Sequence, residues 1–349
     1  PLGIQVAWLS GKQKGKARTQ AEQHIKEGHA QLIVGTHALF QDNVGFNKLG
    51  LVIIDEQHRF GVDQRLALRN KGNDQFTPHQ LVMTATPIPR TLAMSAYGDL
   101  DTSVIDELPP GRTPIQTVTI PLDRREQVLQ RIATNCREGK QAYWVCTLVE
   151  QSETLDAQAA EATYQEIKDR FPDVNIGLVH GKMKANEKQA VMQAFKDNQL
   201  QLLIATTVIE VGVDVPNASI MVIENAERLG LSQLHQLRGR VGRGATASFC
   251  ALLYKAPLSQ NGQERLSILR ESNDGFVIAE KDLKIRGPGE LLGTKQTGDM
   301  GFRVVRLERD DHLLSQAHVV AQHILKDYPR QAGGLLKRWL PHAPRYAYV

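Results

Sequence analysis

Short apolar runs that end in polar residues alternate with helical patterns along this sequence. Such alternation is typical of parallel β-sheets whose strands are connected by crossover helices. We predict four buried strands in the first part of the chain and five in the second, over residues 4–9, 31–36, 51–56, 80–86, 141–148, 175–181, 200–207, 218–225 and 248–254. The predicted fold class is therefore α/β, with two parallel-sheet lobes.

The proline-rich segment DELPPGRTPI, residues 106–115, breaks both periodicities and is predicted to link two domains. The strand pattern stops near Lys255, and a glycine-punctuated region leads from there to a helical tail. We therefore expect a first lobe over residues 1–108, a second lobe over 109–256 and a C-terminal helical region over 257–349.

The segment LSGKQKGKAR, residues 9–18, has the outline of a phosphate-binding P-loop. That loop requires GxxxxGK[ST], because its glycines let the backbone approach the phosphates and its hydroxyl binds magnesium. Ser10 replaces the first glycine, and Ala17 replaces the hydroxyl residue. We predict a solvated basic turn here that leads into a helix over 16–28, which Gly28 ends.

The composition of the 349 residues, 41% hydrophobic and 23% charged, is that of a soluble globular protein. The net charge of +4 permits an anionic partner without requiring one. Three well-separated cysteines match neither a zinc motif nor a disulfide framework, and no apolar run of about 18 residues or secretory leader is found. We expect a cytoplasmic protein without a membrane partner, whose cysteines lie in the core.

The sequence LVIIDEQHRFG, residues 51–61, places Asp55 and Glu56 at the carboxyl end of a predicted strand, where open α/β sheets bind ligands. An aspartate there can hold Mg²⁺ on a nucleoside triphosphate, and the glutamate can deprotonate an attacking water. The alternative is that the carboxylates simply begin a helix, whose dipole favours them. This pair alone leaves both interpretations open.

Three further segments place polar or basic groups beside predicted strands. TATPIPRT carries Thr84 and Thr86 at a strand end, although on its own it is a turn with two prolines. IATTVIEVGVDVPNA carries Thr206, Thr207, Gly212 and Asp214, and an aspartate in this context can accept hydrogen bonds from a ribose or an arginine. The segments HGKM, 180–183, and VGTHAL, 34–39, are weaker signals and would be structural if found alone.

The segment QLRGRVGRG, residues 236–244, contains Arg238, Arg240 and Arg243. Arg240 and Arg243 are three residues apart and are predicted to share a helical face, with Gly239 and Gly242 allowing close backbone approach. Guanidinium groups pair with phosphate oxygens and stabilise charge during phosphoryl transfer. The alternative, a solvated basic helix, does not require the two glycines.

The order DEQH, TAT, HGKM, TTVIEVGVD and QLRGRVGR resembles that of the motifs of superfamily 2 helicases, whose motors have two RecA-like lobes. DEQHRFGV, TATPIPRTLAM, IDELPPGRTP, AYWVCTL and LKIRGPGELLGTKQTG narrow the resemblance to the RecG family of bacterial ATP-dependent DNA helicases. This resemblance covers the whole chain.

The resemblance implies ATP and Mg²⁺ as cofactors and assigns roles to individual residues. Asp55 would coordinate Mg²⁺, Glu56 would be the catalytic base, and Gln57 and His58 would couple hydrolysis to movement. The implied nucleotide contacts from the second lobe are Gln236, Gly212, Asp214, Arg240 and Arg243. The implied DNA-binding and coupling residues are Thr36, Thr84, Thr86, Thr206, Thr207, Arg265, Arg286 and Gln296, the last three in a C-terminal helical hairpin and loop.

Branched DNA is the implied partner, with replication-fork reversal and branch migration of four-way junctions during DNA repair and recombination as the implied work. In that family a wedge domain and a P-loop precede these motifs, and this sequence contains neither. We therefore interpret the chain as a C-terminal fragment with a truncated first lobe. We expect it to lack ATPase activity by itself and to expose an apolar sheet edge, with either self-association or a loosely packed first lobe as the consequence. The full-length protein is expected to be monomeric.

Two alternatives remain open from the sequence. One is the motor of a transcription-repair coupling factor, which has similar motifs and a similar tail; DEQHRFGV and RGPGELLGTKQTG favour the RecG family. The other is a non-catalytic DNA-binding module, which the missing phosphate loop supports. The intact acidic pair and arginines argue against it, because a protein without ATPase activity has no physical need of them.

Overall fold

The computed structural model describes residues 3–56, 71, 77–84, 101–107, 112–147, 153–210, 215–244, 246–286 and 310–339. The chain forms two compact units, Pro1–Ala85 with Val319–Val349, and Thr86–His318. The domain limits predicted from the sequence remain a prediction.

The first unit contains two pairs of parallel strands. Strands β1 and β2 form one pair and strands β3 and β4 the other. Helix α1 makes the crossover connection between β1 and β2. The elements are β1 Val6–Leu9, α1 Gly15–Lys26, β2 Leu32–Gly35, β3 Leu51–Ile54 and β4 His79–Val82. All four predicted strands are therefore present, each parallel to its partner and shorter than its predicted range.

The strands of the first unit are not buried on both faces, so the prediction of four buried strands is wrong in this respect. In β1, Val6 and Trp8 are more than half exposed while Leu9 is fully buried; in β3, Leu51 and Ile53 are exposed in the same way. A continuous apolar run does not determine whether one or both faces of a strand are buried, because burial depends on which helices or other segments pack against the sheet. Apolar surface is thus exposed on the faces of both strand pairs, not only along an edge.

The basic segment after β1 is a solvated turn, as predicted. Lys12, Lys14 and Lys16 are exposed, and α1 begins at Gly15. The helix ends before Gly28, whose φ of +76° lies in the left-handed region. A Cβ on Gly28 would lie 2.4 Å from Nδ2 of Asn47, an exposed side chain that can move aside, so the backbone conformation is what favours glycine there.

The second unit is built on a six-stranded parallel sheet in the order β5-β10-β9-β6-β8-β7. Its strands are β5 Gln116–Pro121, β6 Gln141–Val145, β7 Ile176–Val179, β8 Leu202–Ala205, β9 Ala218–Ile223 and β10 Phe249–Tyr254. Its helices up to β10 are α2 Arg125–Arg137, α3 Glu153–Arg170, α4 Ala185–Lys196 and α5 Leu231–Arg238. The second parallel sheet is confirmed.

Strand β5 is absent from the sequence-based prediction. It follows the proline-rich segment directly and has the sequence QTVTIP, in which polar and apolar residues alternate at first. Such a strand is half-buried at a sheet edge, and among the strands described β5 pairs with β10 alone. Its apolar content is too low for the long apolar runs by which the other strands are recognised.

The sheet of the second unit is buried on both faces. Alternate residues of β6 enter different core clusters, Tyr143 packing with Phe195 on one face and Trp144 with Leu129 on the other. The three cysteines are free and buried, as predicted. Burial raises the pKa of each thiol, to about 12 for Cys136 and Cys250, so these thiols stay protonated near neutral pH.

A helical region follows β10, in agreement with the predicted fold class. Helices α6 and α7 pack against each other and against α5, and two further helices follow later. Their limits are α6 Gln260–Glu271, α7 Gly275–Arg286, α8 Leu314–Asp327 and α9 Pro329–Trp339. The loop predicted after α7 lies outside the described residues. None of the helices described is both long enough and apolar enough to cross a membrane.

Candidate nucleotide and nucleic-acid site

The acidic pair of the first unit lies at the carboxyl edge of the β3–β4 pair. Asp55 and Glu56 follow β3 directly, and Thr84 lies two residues beyond β4. Because the parallel register pairs Ile54 with Val82, both segments leave the sheet at the same edge. The structure therefore brings Asp55, Glu56 and Thr84 to one edge, where open α/β sheets bind their ligands.

Glu56 has an unusual backbone conformation. Its φ is +54°, in the left-handed region that residues with a side chain rarely occupy, and its N–H donates a hydrogen bond of 2.8 Å to Oδ1 of Asp55. Such a conformation costs about 1–3 kcal/mol and is concentrated at functional sites. The chain therefore turns sharply at the second carboxylate, while Asp55 is exposed at the strand end.

Thr36 lies at the end of the other strand pair. It follows β2, and its N–H donates to the carbonyl of Leu9, the last residue of β1, at 3.1 Å. Its side chain is exposed at the carboxyl edge of the β1–β2 pair. Thr36 thus occupies the same kind of position as the acidic pair, on a different pair of strands.

In the second unit, the structure brings Thr206 and Thr207 near α5. The Thr206 N–H donates to the carbonyl of Val179 at the end of β7, at 3.2 Å. Thr207 begins a 3-10 helix, Thr207–Glu210, that packs against α5. Because α5 carries the half-buried Gln236, two of the segments predicted to form the site are adjacent within this unit.

Arg240 and Arg243 do not share a helical face, so that prediction is wrong. Helix α5 ends at Arg238, and both arginines lie in the loop that follows. The hydrogen bonding changes where the helix ends: the Gly239 N–H still bonds His235 O, four residues back, at 3.0 Å, whereas Arg240 and Val241 bond the carbonyls three residues back. Gly242, four residues beyond the helix end, has a φ of +76°. We call residues 239–244 the arginine loop.

The two glycines of the arginine loop have different roles. A Cβ on Gly242 would lie 2.9 Å from Cγ1 of Ile115, so the predicted close approach is confirmed there. A Cβ on Gly239 would meet only ordinary van der Waals contacts, so close approach does not explain that glycine. The Gly239 carbonyl instead accepts a hydrogen bond from Nε of Arg243 at 3.3 Å.

Arg238 differs from its two neighbours because its side chain is buried, with 2% exposure. Its Nη1 donates to the carbonyls of Leu269 and Ser272 at the end of α6, at 2.8 Å each. Its Nη2 donates to Nδ1 of His235 at 3.1 Å. Arg238 therefore connects α5 to α6 through backbone carbonyls, a role that the close spacing of the three arginines in the sequence does not reveal.

His235 is held in its neutral form. Burial is the main cause that lowers its pKa to about 4, and the positive charges of Arg238 and Arg112 lower it further, whereas Asp274 acts in the opposite direction. A neutral imidazole can accept the Arg238 hydrogen bond at Nδ1, which a protonated ring cannot do.

Arg265, predicted to couple motor movement to DNA, contacts the start of α5. Its Nη1 donates to the carbonyl of Leu229, two residues before α5, at 2.9 Å. Further side-chain contacts join Glu264 with Lys281 at 2.6 Å and Ser232 with Asp282 at 3.3 Å. Helices α5, α6 and α7 are thus linked to one another.

Several predicted site residues cannot be placed. Arg286 is the last residue of α7, and only its backbone is described. The predicted residues outside the described part are Gln57, His58, Thr86, Gly212, Asp214 and Gln296. Conversely, Arg112 and His235 contact the arginine loop or its helix although sequence reasoning gave neither a role. Arg112 carries no sequence signal beyond its place after the prolines.

Comparisons with known proteins identify the class of protein to which this fold belongs. Residues 1–95 match the family model "DEAD/DEAH box helicase" and residues 124–245 match "Helicase conserved C-terminal domain". A solved structure of yeast Dbp5 bound to RNA and ADP BeF3 has the same fold, with a TM-score of 0.53 at 16% identity over 78% of this chain and 68% of that one. Fold and motifs define a two-lobed superfamily 2 helicase motor.

More specific matches give the family. Residues 272–334 match "ATP-dependent DNA helicase RecG, domain 3, C-terminal". The chain is 66% identical to RecG of Escherichia coli K12 over 99% of its length and 50% of that protein, and 49% identical to RecG of Bacillus subtilis over 92% and 47%. A structure of RecG bound to a three-way DNA junction matches with a TM-score of 0.66 and 44% identity, over 90% of this chain and 40% of that one.

The chain belongs to the RecG family of ATP-dependent DNA helicases. It spans about half the length of the curated relatives it matches.

Proposed function

We propose that the complete gene product that carries these 349 residues is an ATP-dependent DNA helicase that remodels branched DNA, by fork reversal and by branch migration of four-way junctions. The observation that carries this proposal is the 66% identity to a full-length helicase over 99% of the chain. A relative that binds a three-way DNA junction supports branched DNA as the substrate. We infer that it acts in the cytoplasm as a monomer during DNA repair and recombination.

Asp55 is the residue proposed to hold Mg²⁺ on the bound ATP. Magnesium that is bound with a nucleotide takes one or two protein carboxylates, and phosphate oxygens and water fill its other positions. The exposed carboxylate of Asp55 at the end of β3 fits that requirement. When bound, the ion would neutralise charge on the phosphates, while Glu56 would orient and deprotonate the attacking water.

Arg240 and Arg243 are proposed to act on the same nucleotide as the acidic pair. A guanidinium that contacts the transferred phosphoryl group stabilises the transition state and is worth about 10³ to 10⁵ in rate. The other proposed nucleotide contacts are Gln236, Gly212 and Asp214. Gln57 and His58 are proposed to couple hydrolysis to movement.

The strand-end threonines are proposed to contact the DNA backbone. Hydroxyl groups donate to phosphate oxygens, and such contacts position the nucleic acid without reading its bases. The residues concerned are Thr36, Thr84, Thr86, Thr206 and Thr207, with Arg265, Arg286 and Gln296 transmitting the movement. We therefore expect affinity for DNA that depends little on sequence and falls steeply as salt rises.

The deciding experiment measures DNA-stimulated ATP hydrolysis by the complete gene product and by its Glu56→Gln variant. The substitution keeps the size of the side chain and removes the base, so turnover is expected to fall by about 10²-fold or more. Glu138→Gln is the matched control, because Glu138 is exposed and, among the residues described, its side chain pairs with nearby Lys140. No DNA-stimulated turnover in the wild type or in either variant would favour the non-catalytic DNA-binding module instead, and equal turnover in all three proteins would contradict the role of Glu56 as the base.

The substrate class has its own test. Stimulation of ATP hydrolysis by a four-way junction is compared with stimulation by an unbranched duplex of the same total length. We expect the junction to stimulate more strongly, and equal stimulation would contradict the proposal of branched DNA as the substrate.

The 349 residues alone are proposed to turn over no ATP, because their sequence contains no GxxxxGK[ST] loop. Each charge-assisted hydrogen bond to a phosphate is worth about 1.5–3 kcal/mol, so losing three weakens ATP binding by several kcal/mol. Turnover by the isolated chain that disappears with Glu56→Gln would contradict this proposal.

A further inference from the structure

The segment that leads into β5 contacts the backbone of the arginine loop. Nε of Arg112 donates a hydrogen bond to the carbonyl of Gly242 at 3.1 Å, and Nη2 donates to the carbonyl of Gly239 at 3.5 Å. These carbonyls lie on either side of Arg240 in the sequence, and Gly242 directly precedes Arg243. One guanidinium thus spans the part of the loop that presents both candidate phosphate ligands.

A second side chain from the same segment touches the loop independently. Ile115 is buried, with 8% exposure, and belongs to a core cluster of the second unit. It lies so close to Gly242 that a Cβ there would be 2.9 Å from Cγ1 of Ile115. The loop backbone therefore rests on a buried apolar side chain and is also held by the guanidinium of Arg112.

The charges near Arg112 show that simple ion pairing does not explain its position. Arg112 is close enough to His235 to lower the pKa of that imidazole, and the Arg238 guanidinium donates to the same ring. Nearby cations do not stabilise an arginine electrostatically. Its planar group of N–H donors can, however, donate hydrogen bonds to two carbonyls at the same time. The hydrogen bonds described for Arg112 both go to backbone carbonyls of the arginine loop.

We propose that Arg112 is a positioning residue for phosphoryl transfer: it fixes the arginine loop so that Arg240 and Arg243 reach the phosphates in one geometry. This inference rests on the proposed function, in which those two arginines act on ATP. Arg112 belongs to the proline-rich segment 106–115 that is predicted to link the two domains. The arginine loop is therefore hydrogen-bonded to that segment, so a change in the conformation of the segment would change the positions of Arg240 and Arg243.

The test measures kcat and KM for ATP, at saturating DNA, in the complete gene product. Misplacing a catalytic group by about 1 Å can cost up to about 10²-fold, so Arg112→Ala is expected to lower kcat at least about 10-fold while KM changes less than about 3-fold. Arg112→Lys keeps the positive charge but not the planar guanidinium group, so its kcat is expected to lie between those of the wild type and Arg112→Ala. The control is Arg124→Ala, since the hydrogen bond described for the Arg124 side chain goes to Gln127, three residues away on the surface.

Two further measurements separate positioning from general stability. Arg112→Ala is combined with Arg240→Ala and Arg243→Ala; if Arg112 acts through these residues, it should lower the remaining kcat by less than about 2-fold. A further loss as large as that in the wild-type background would overturn the inference. Hydrogen exchange should be faster in Arg112→Ala at the N–H groups of Arg240 and Val241, which bond the last turn of α5.

The outcomes distinguish failure of this inference from failure of the proposed function. If Arg112→Ala has the kcat of the wild type and Glu56→Gln is inactive, the role of Arg112 is overturned and the proposed function stands. Full turnover in Glu56→Gln would overturn the proposed function and this inference with it. If Arg112→Ala does not fold, Arg112→Lys decides: a reduced kcat at an unchanged melting temperature supports the role, and a wild-type kcat overturns it.

Discussion

At the scale of residues, Gly242 combines two constraints that can be separated by experiment. Its φ is +76°, and Ile115 fills the space that a Cβ would need. Gly139 shares the first constraint only, since its φ is +85° and no atom lies within 4 Å of a Cβ built there. Both residues belong to the second unit, so each glycine can be replaced in the same cooperative structure.

We predict that Gly139→Ala lowers the free energy of unfolding by about 1–2 kcal/mol, the cost of a left-handed backbone for an L residue. Gly242→Ala is expected to cost about 1–3 kcal/mol more, because the methyl group also overpacks against Ile115. Urea unfolding of the two variants and the wild type measures both values. Equal losses would show that Ile115 exerts no steric constraint on the arginine loop.

His235 predicts how stability depends on pH. Its pKa is lowered to about 4 in the folded protein from an ordinary value near 6.5, so the unfolded chain binds more protons between these values. The free energy of unfolding therefore falls as pH drops through this range. His235→Gln cannot be protonated and keeps an acceptor for Arg238, so the wild type should lose about 1–3 kcal/mol more than the variant between pH 7.5 and 4.5.

Urea unfolding at several pH values tests this difference. Parallel pH profiles for the wild type and His235→Gln would contradict the prediction, as would a His235 titration near pH 6.5 observed by NMR. The arginine of the same helix turn, Arg238, was recognisable from the sequence only as one of three basic residues within six positions. Its burial, and hence the neutral form of His235, depend on the end of α6 about thirty residues later.

At the scale of elements, the attachment of α5 to α6 depends on Arg238. Its guanidinium satisfies two carbonyls where α6 ends, at Leu269 and Ser272. Arg238→Met keeps most of the side-chain volume but leaves those acceptors without this donor. Each buried acceptor that loses its partner costs about 1–3 kcal/mol.

We therefore predict that Arg238→Met lowers the free energy of unfolding by about 2–5 kcal/mol. The matched control is Arg270→Met, because Arg270 is exposed near the same end of α6 and, within the described part of the chain, its guanidinium pairs with Glu271 at 3.4 Å. That change should stay within about 0.5 kcal/mol, as is usual for surface substitutions. Urea unfolding measures both, and similar losses would contradict the anchoring role of Arg238.

Helices and strands with a clear periodicity in their own sequence were predictable. Those whose limits depend on contacts with distant residues were not. Helix α1 and its glycine end follow from local backbone preferences, and the strands of the second unit follow from their apolar runs. Strand β5 was not predicted because its sequence QTVTIP lacks the apolar run by which the other strands are recognised. The end of α5 was also mispredicted: the closely spaced arginines suggested a continuous helix, but the helix ends at Arg238 and Gly242 lies in the left-handed region.

At the scale of the whole molecule, the apolar faces of the first unit predict self-association of the isolated chain. Val6, Trp8, Leu51 and Ile53 are each more than half exposed. Soluble monomers rarely expose large contiguous apolar patches, so we expect a second copy of the chain to cover these faces. A double variant, Trp8→Lys with Ile53→Lys, should remain monomeric because burying two charges is costly.

Sedimentation velocity over a range of concentrations measures this effect. Val118→Lys is the matched control, since Val118 is an exposed apolar residue on β5 of the second unit. The Val118→Lys variant should self-associate at the same concentrations as the wild type. A wild-type chain that remains a compact monomer at about 100 μM would contradict the prediction, since contacts between exposed apolar faces strengthen with concentration.

The sequence by itself determined the order of strands and helices, the parallel sheets and the place of Asp55 and Glu56 at a strand end. These features depend on local periodicity and on residues that adjoin one another in the chain. Only the tertiary structure decided which arginine is buried, which faces of the first strands are covered, and that Arg112 holds a loop 130 residues away. Those features depend on partners distant in sequence, whose identity no local pattern encodes.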